Sequence, residues 1–231
     1  QKHNSPRRQR QMCIRDRHGN LPKYKEENLK YVPIPDFNKH NCNKMYVAGY
    51  WQSYKHTEGY MDDIKKMLGI GNKQENFKRM YPDHVGKITL HVRWGDYVNY
   101  PNMHPVMPEE YYRRAINNVI KDEGKDDLLI YVICDGFDRI AIEGQLIRNL
   151  RVSFPKTTFV MVKGMDIFNE ILMQSLARKQ IIANSSFSLL GAVLNETKDL
   201  KVYYPCKWFG NGMGVTLYED LFKPEWNKID F

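Results

Sequence analysis

A chain of 231 residues, 42% apolar and 27% charged, is long enough for one sizeable core, or for one full domain and part of another, and its composition is that of an ordinary globular protein. Its apolar runs stop at strand length, as in LLIYVIC at 128–134, which is too short to span a bilayer, and residues 1–30 carry no apolar block of signal-peptide kind. Of the net charge of +8, residues 1–30 contribute +6 and the remaining 201 only +2, which excludes a nucleic-acid-binding body.

Residues 1–20 have no hydrophobic period and read as a disordered or foreign tail. Residues 21–85 are rich in Tyr, Lys and Asn; they hold a strand-like KMYVAGYWQS at 44–53 and an amphipathic helix at 59–70, with Met61, Ile64, Met67 and Leu68 on one stripe. From residue 86 the pattern is regular. KITLHVR (87–93) reads as a strand, and 109–121 as a helix opened by Pro108. An apolar strand at 128–134 stops at Asp135-Gly136, and 141–150 fits a helix. TFVMV (158–162) is a further strand, and 166–178 a helix with Ile167, Ile171, Leu172 and Leu176 inward. A short strand at 180–183 meets Asn184-Ser185-Ser186 and a helix-like FSLLGAVLN, and 201–204 makes the last strand. Strands apolar on both faces, alternating with helices, imply an α/β fold with a parallel sheet covered on both sides.

The four cysteines (Cys13, Cys42, Cys134 and Cys206) form no CxxC pair, so no zinc or redox motif is readable. Cys134 reads as a small core residue, and one disulfide stays compatible with the spacing. Asn184-Ser185-Ser186 and Asn195-Glu196-Thr197 match the glycosylation sequon inside segments that read as packed structure, so the match is taken as chance.

In a parallel sheet, ligands bind beyond the carboxyl ends of the strands. That rule selects 93–96, 135–138, 164–166 and 184–188. Arg93 at a strand end can hold a phosphate through two parallel N–H donors, or simply pair with Asp96 across a turn. Ser185, Ser186 and Ser188, at the start of a helix, form a phosphate cradle or a plain N-cap. Asp135 and Asp138 can bind ribose or guanine, or shape a turn. The GNGMG loop at 210–214 is weak evidence for phosphate binding.

HVRWGDYV (91–98) resembles the HVRRGDYV signature of the α-1,2-fucosyltransferase family, and EILMQSLARKQIIANSSFSLLGAVL (170–194) is similar to that family's segment DLxLMSxCKHxIIANSSFSWWGAxL. GYWQS (49–53), PEEYYRRAI (108–116) and YYPCKWF (203–209) also match, in order, over roughly residues 44–231. The resemblance implies a Rossmann-like, GT-B-type glycosyltransferase with an incomplete first domain: 21–85 the acceptor-side remnant, 86–231 the GDP-fucose-binding domain. It implies inverting transfer of L-fucose from GDP-fucose to a glycan ending in galactose, with no metal or other cofactor. Arg93 then holds the β-phosphate, His91 lies on the guanine side, Glu170 accepts from guanine N–H groups, and Asn184, Ser185, Ser186 and Ser188 form the phosphate-side segment beside Asp135. Asp96 is the carboxylate to consider as general base, or the partner that fixes Arg93. The implied compartment is cytoplasmic or peripheral to a membrane, or Golgi if an anchor precedes residue 1.

Three departures accompany the resemblance. Trp94 stands where the signature has a second arginine, Leu189-Leu190 replace paired tryptophans, and the glycine-rich GGLGNQ segment is absent. The alternative expectations are a catalytically weak GDP-sugar-binding remnant and a fucosyltransferase of different linkage.

Overall fold

The computed structural model describes residues 21–34, 36, 44–215 and 217–231. The expected tail at 1–20, with Cys13 and Cys42, lies outside them. Backbone contacts divide the chain into two units. One runs through the described residues up to Glu58 and takes in the short segment ending at Phe222; the other comprises Gly59–Val215 and Lys223–Phe231. The boundary expected at residue 85 therefore falls at 58/59, for a packing reason. Phe77, on the second of the two helices in between, is fully buried in a cluster with Tyr131, Ile133, Leu172 and Met173.

The smaller unit holds a parallel pair, β1 (Lys23–Lys25) and β2 (Tyr46–Ala48). The strand expected over 44–53 is thus only three residues long, because the chain turns at Gly49. A turn of 3-10 helix, Tyr54–His56, follows.

The larger unit opens with α1 (Met61–Leu68) and α2 (Ile70–Met80), separated by Gly69 at φ +63°. That left-handed position ends a helix at least cost with glycine. The expected apolar stripe of α1 is not buried: Met67 is 79% and Leu68 49% exposed. Lys65 turns inward instead and pairs with Glu196.

A six-stranded, wholly parallel sheet forms the core, built from β3 (Ile88–Val92), β4 (Leu129–Cys134), β5 (Thr158–Met161), β6 (Lys179–Ile181), β7 (Lys201–Pro205) and β8 (Asn227–Ile229). Its order is β5-β4-β3-β6-β7-β8. Every residue of β3 is buried, as a central strand covered on both faces requires. β8 escaped the sequence reading, because three residues at an edge carry no periodic signal.

Helix α3 (Glu109–Glu123) follows Pro108, carries Glu109 and Glu110 in its first turn and ends at Gly124, φ +66°. Tyr111, Tyr112, Ala115, Ile116 and Val119 all lie in the core, so one helix face covers the sheet. After β4, α4 (Arg139–Ile142) runs through a π-helical turn (Glu143–Ile147) into α5 (Arg148–Ser153). α6 (Ile167–Ser175) starts at Asp166, whose carboxylate caps Asn169 N–H at 2.9 Å. That cap sets the register so that Ile167, expected inward, is 72% exposed, while Leu172 and Met173 are buried. α7 (Ser186–Val193) packs on α6, and a Cβ at Gly191 would lie 2.6 Å from the Cβ of Gln174, so only glycine permits that approach.

Candidate active site

The sheet order reverses at β3, whose neighbours are β4 on one side and β6 on the other. This is a topological switch point, the place where open parallel sheets bind their ligands beyond the strands' carboxyl ends. Leu90 of β3 is level with Ile181 of β6. Three residues further along each chain stand Arg93 and Asn184, so the two motifs read from the sequence leave neighbouring parallel strands on the same edge. Contacts join them: the Tyr97 hydroxyl donates to the Asn184 carbonyl at 3.1 Å, and the His91 and Phe187 rings lie 5.2 Å apart.

The β3 loop is tied to the residue that precedes α4 by one bond to a side chain. Gly95 (φ +47°) donates its N–H to Asp138 Oδ2 at 2.6 Å, and a Cβ there would meet both that carboxylate and the Arg93 guanidinium. Arg93, with 31% of its side chain exposed, donates to Asp96 Oδ1 at 2.6 Å and lies over the Tyr97 ring at 5.2 Å. It is thus oriented from two sides while part of its donor fork faces solvent. Trp94 packs against the core, and its indole N–H is buried without a partner. His91 is buried at the end of β3; loss of hydration, reinforced by Arg93, pulls its pKa down to about 3, so it is neutral at physiological pH. Its Nδ1 has no partner.

The serine segment divides sharply. Ser185 Oγ caps Phe187 N–H at 3.3 Å, and the Ser188 hydroxyl donates to the Ala183 and Ser185 carbonyls at 3.2 Å. Asn184 Nδ2 donates to the carbonyls of Pro105 (2.9 Å) and Trp208 (3.1 Å). These three side chains are buried and make bonds within the protein, though Asn184 Oδ1 has no partner; Ser186 is exposed. Ser186, with the first N–H groups of α7, is therefore what the segment offers a ligand.

At the end of β4, Asp135 accepts from Phe137 N–H at 2.9 Å, an Asx turn, and remains exposed. Glu170, half-buried on α6, has its carboxyl pushed up to about 7. Burial is the main cause, with Asp166 and Asp135 adding to it and Arg139 opposing. Arg139 also lies against the Cys134 thiol, which burial pushes up to about 11. Its Nε is buried without a partner. Arg139 and Tyr97 escaped the sequence reading. The strand-end rule selected 135–138, one residue short of the arginine that opens α4.

Other motifs resolve as structure. Gly210 and Gly212 donate N–H bonds to the carbonyls of Met103 (2.9 Å) and Asn102 (2.7 Å), and a Cβ at Gly210 would sit 2.2 Å from the Asn102 carbonyl oxygen, so GNGMG is a packing loop. Asn195, like Asn184, is buried, and its Nδ2 donates to Gln174 and Ala177 carbonyls, which leaves neither sequon available to an oligosaccharide. Among the described residues, no three His, Cys, Asp or Glu are grouped to hold a metal, and no helix is long and apolar enough to cross a membrane.

A wholly parallel sheet in this order, with Arg93 and the start of α7 leaving neighbouring strands at its switch point, defines a Rossmann-like class of α/β protein. Within that class, the profile of glycosyl transferase family 11 matches residues 8–230, and the chain belongs to this family. It is 27% identical over 205 residues to the O-antigen biosynthesis glycosyltransferase WbnK of Escherichia coli, an alignment covering 78% of this chain and 62% of that protein. The chain thus spans somewhat less than two thirds of the length of this curated relative.

Proposed function

We propose that the protein transfers L-fucose from GDP-fucose to a galactose-terminated glycan, in an α-1,2 linkage with inversion. The observation that carries this reading is the adjacency of Arg93 and the start of α7 on neighbouring strands at the switch point. In the transfer, an acceptor hydroxyl forms a bond to the fucose anomeric carbon while the bond from that carbon to the diphosphate breaks. The electron pair leaves on the β-phosphate oxygen, and the acceptor's proton passes to a base. The charge gathering on the diphosphate needs fixed donors at that moment. In this reading Arg93 and the Ser186 end of α7 supply them, with arginine in the role that a divalent cation plays in other transferases.

Asp96 Oδ1 accepts from Arg93 and so orients the guanidinium, and the carboxylate, 63% exposed, is also the group to test as the base. Asp135 and Glu170 form the wall on the far side of β3, where guanine N–H groups and ribose hydroxyls can donate to carboxylates. His91, neutral and buried, contributes shape and one ring nitrogen.

Calorimetric titration with GDP, beside a turnover assay with GDP-fucose and lactose, tests the proposal. Micromolar GDP binding with transfer to the galactose 2-hydroxyl is the expected result. A preference for another nucleotide would overturn the donor assignment. GDP binding without turnover would leave a donor-binding protein that has lost catalysis, a reading that the inward-packed Trp94 favours.

A further inference from the structure

The GYWQS segment (49–53) resembled the family yet has no part in the switch-point site described above. In the structure its Trp51 lines a small cleft within the smaller unit, about 260 Å³ in volume, whose walls also include Tyr24, Glu26, Asn28 and His56. We propose that this cleft binds a neutral pyranose ring of the acceptor glycan, stacked on Trp51 and hydrogen-bonded to Glu26.

The turn is built around one carboxylate. Tyr50 and Trp51 donate their N–H groups to Glu26 Oε2 at 2.6 and 3.0 Å. Gly49 allows the approach, since a Cβ there would stand 2.4 Å from the Cβ of Glu26. The other oxygen, Oε1, is buried and has no hydrogen-bond partner. A carboxylate fixed by two backbone donors, with acceptor capacity to spare, suits a sugar hydroxyl.

The aromatic wall is equally specific. The Trp51 ring lies 5.9 Å from that of Tyr24 and 5.2 Å, edge-on, from that of His56. Trp51 holds φ +50°, one of only two non-glycine residues among the described ones in the left-handed region. A bulky residue kept in that conformation marks a site where its direction matters more than its backbone ease. Indole faces pack against the C–H face of a pyranose, and the polar rim of Lys25, Asn28 and Lys30 meets its hydroxyls. The volume lies just below the roughly 300–1,000 Å³ of sites for drug-sized ligands, which suits one sugar ring better than a nucleotide.

The choice of ligand rests on the glycosyltransferase reading, so the experiment separates the two. Methyl β-galactoside and lactose are titrated against the full chain by tryptophan fluorescence and saturation-transfer NMR, and GDP by calorimetry in parallel. Trp51→Gly, which suits the positive φ and deletes the ring, and the near-isosteric Glu26→Gln each weaken saccharide binding at least about tenfold while GDP affinity stays unchanged. Circular dichroism melts confirm that both variants fold, and Glu26→Gln carries the test should Trp51→Gly not. Wild-type saccharide affinity in folded variants, or a wild-type protein that binds GDP and no galactoside, overturns the proposal. A protein that binds galactoside through these two residues but ignores GDP supports the cleft and sinks the donor reading instead.

Discussion

The β3 loop and the β6 turn are both family motifs, they sit side by side, and they use their polar residues in opposite ways. HVRWGD presents its guanidinium: Arg93 is braced by Asp96 and Tyr97 but keeps donors toward solvent. IIANSSFS turns most of its polar groups inward, with Asn184 bridging two distant carbonyls, Ser185 capping and Ser188 tying back to its own turn. One loop leaves a charged donor partly exposed, and the other mainly shapes the place where a helix begins. A motif can thus be rich in hydroxyls and amides because a buried strand-to-helix turn must satisfy its own backbone, with one exposed serine left over for chemistry.

Replacing Arg93 is the strongest way to break this contrast. Arg93→Ala is expected to lower transfer by about 10²–10³-fold, the usual scale for losing one transition-state donor. GDP binding should weaken by roughly 10–100-fold, as for a lost charged hydrogen bond. Turnover near the wild-type value would take Arg93 out of the mechanism. Asn184→Ala should do the reverse. It removes two buried hydrogen bonds and is expected to cost about 2 kcal/mol of stability, read as a lowered Tm or urea midpoint. GDP affinity of the folded fraction should stay within about threefold of wild type. A large affinity loss with unchanged stability would return Asn184 to the ligand.

How much of this was legible in the sequence depended on the length of the signal. Strands β3, β4, β5 and β7 were readable because each is a largely apolar run bounded by turn residues, β6 only roughly because it is Lys-Gln-Ile, and α3 because five buried positions repeat at helical spacing behind Pro108. Register within a helix was not readable where a cap decides it: Asp166 fixes α6 so that Ile167 faces out. The site was legible as a place and not as a division of labour. Strand-end logic put Arg93 and the serines together, but which serine is exposed depends on where the helix starts, and Arg139 fell one residue beyond the span that the rule selects. Glu26 was invisible, because its only signal is a glycine more than twenty residues away that leaves room for it.

Within the β6 turn, two serines two residues apart sharpen the comparison further. Ser188→Ala deletes a buried hydroxyl with two carbonyl acceptors and should cost about 1 kcal/mol of stability with GDP affinity unchanged. Ser186→Ala should leave the melting curve in place and weaken GDP binding by about two- to fivefold. The opposite pattern would make the whole turn structural.

The smallest effect concerns Glu170, and pH exposes it. Its carboxyl titrates near 7 in the folded protein, above its ordinary value of 4.5, mainly because burial disfavours the charge. The folded state therefore holds the proton more tightly than the unfolded one. This contribution to stability is complete below 4.5 and is lost as pH rises through about 7. Glu170→Gln removes the loss, so above neutrality the variant should be the more stable protein, by on the order of 1 kcal/mol or less once the half-exposed position is discounted for screening. Guanine N–H groups need the ionised form, so wild-type GDP affinity should fall as pH drops through 7, by at most about tenfold per unit, whereas the variant binds more weakly at high pH and shows a flat profile. His91 cannot mimic this behaviour, because its pKa is held near 3 and it stays neutral across the range. If Glu170→Gln kept the wild-type pH dependence, the guanine wall would have to be sought among other residues of the β4 end, beginning with Asp135.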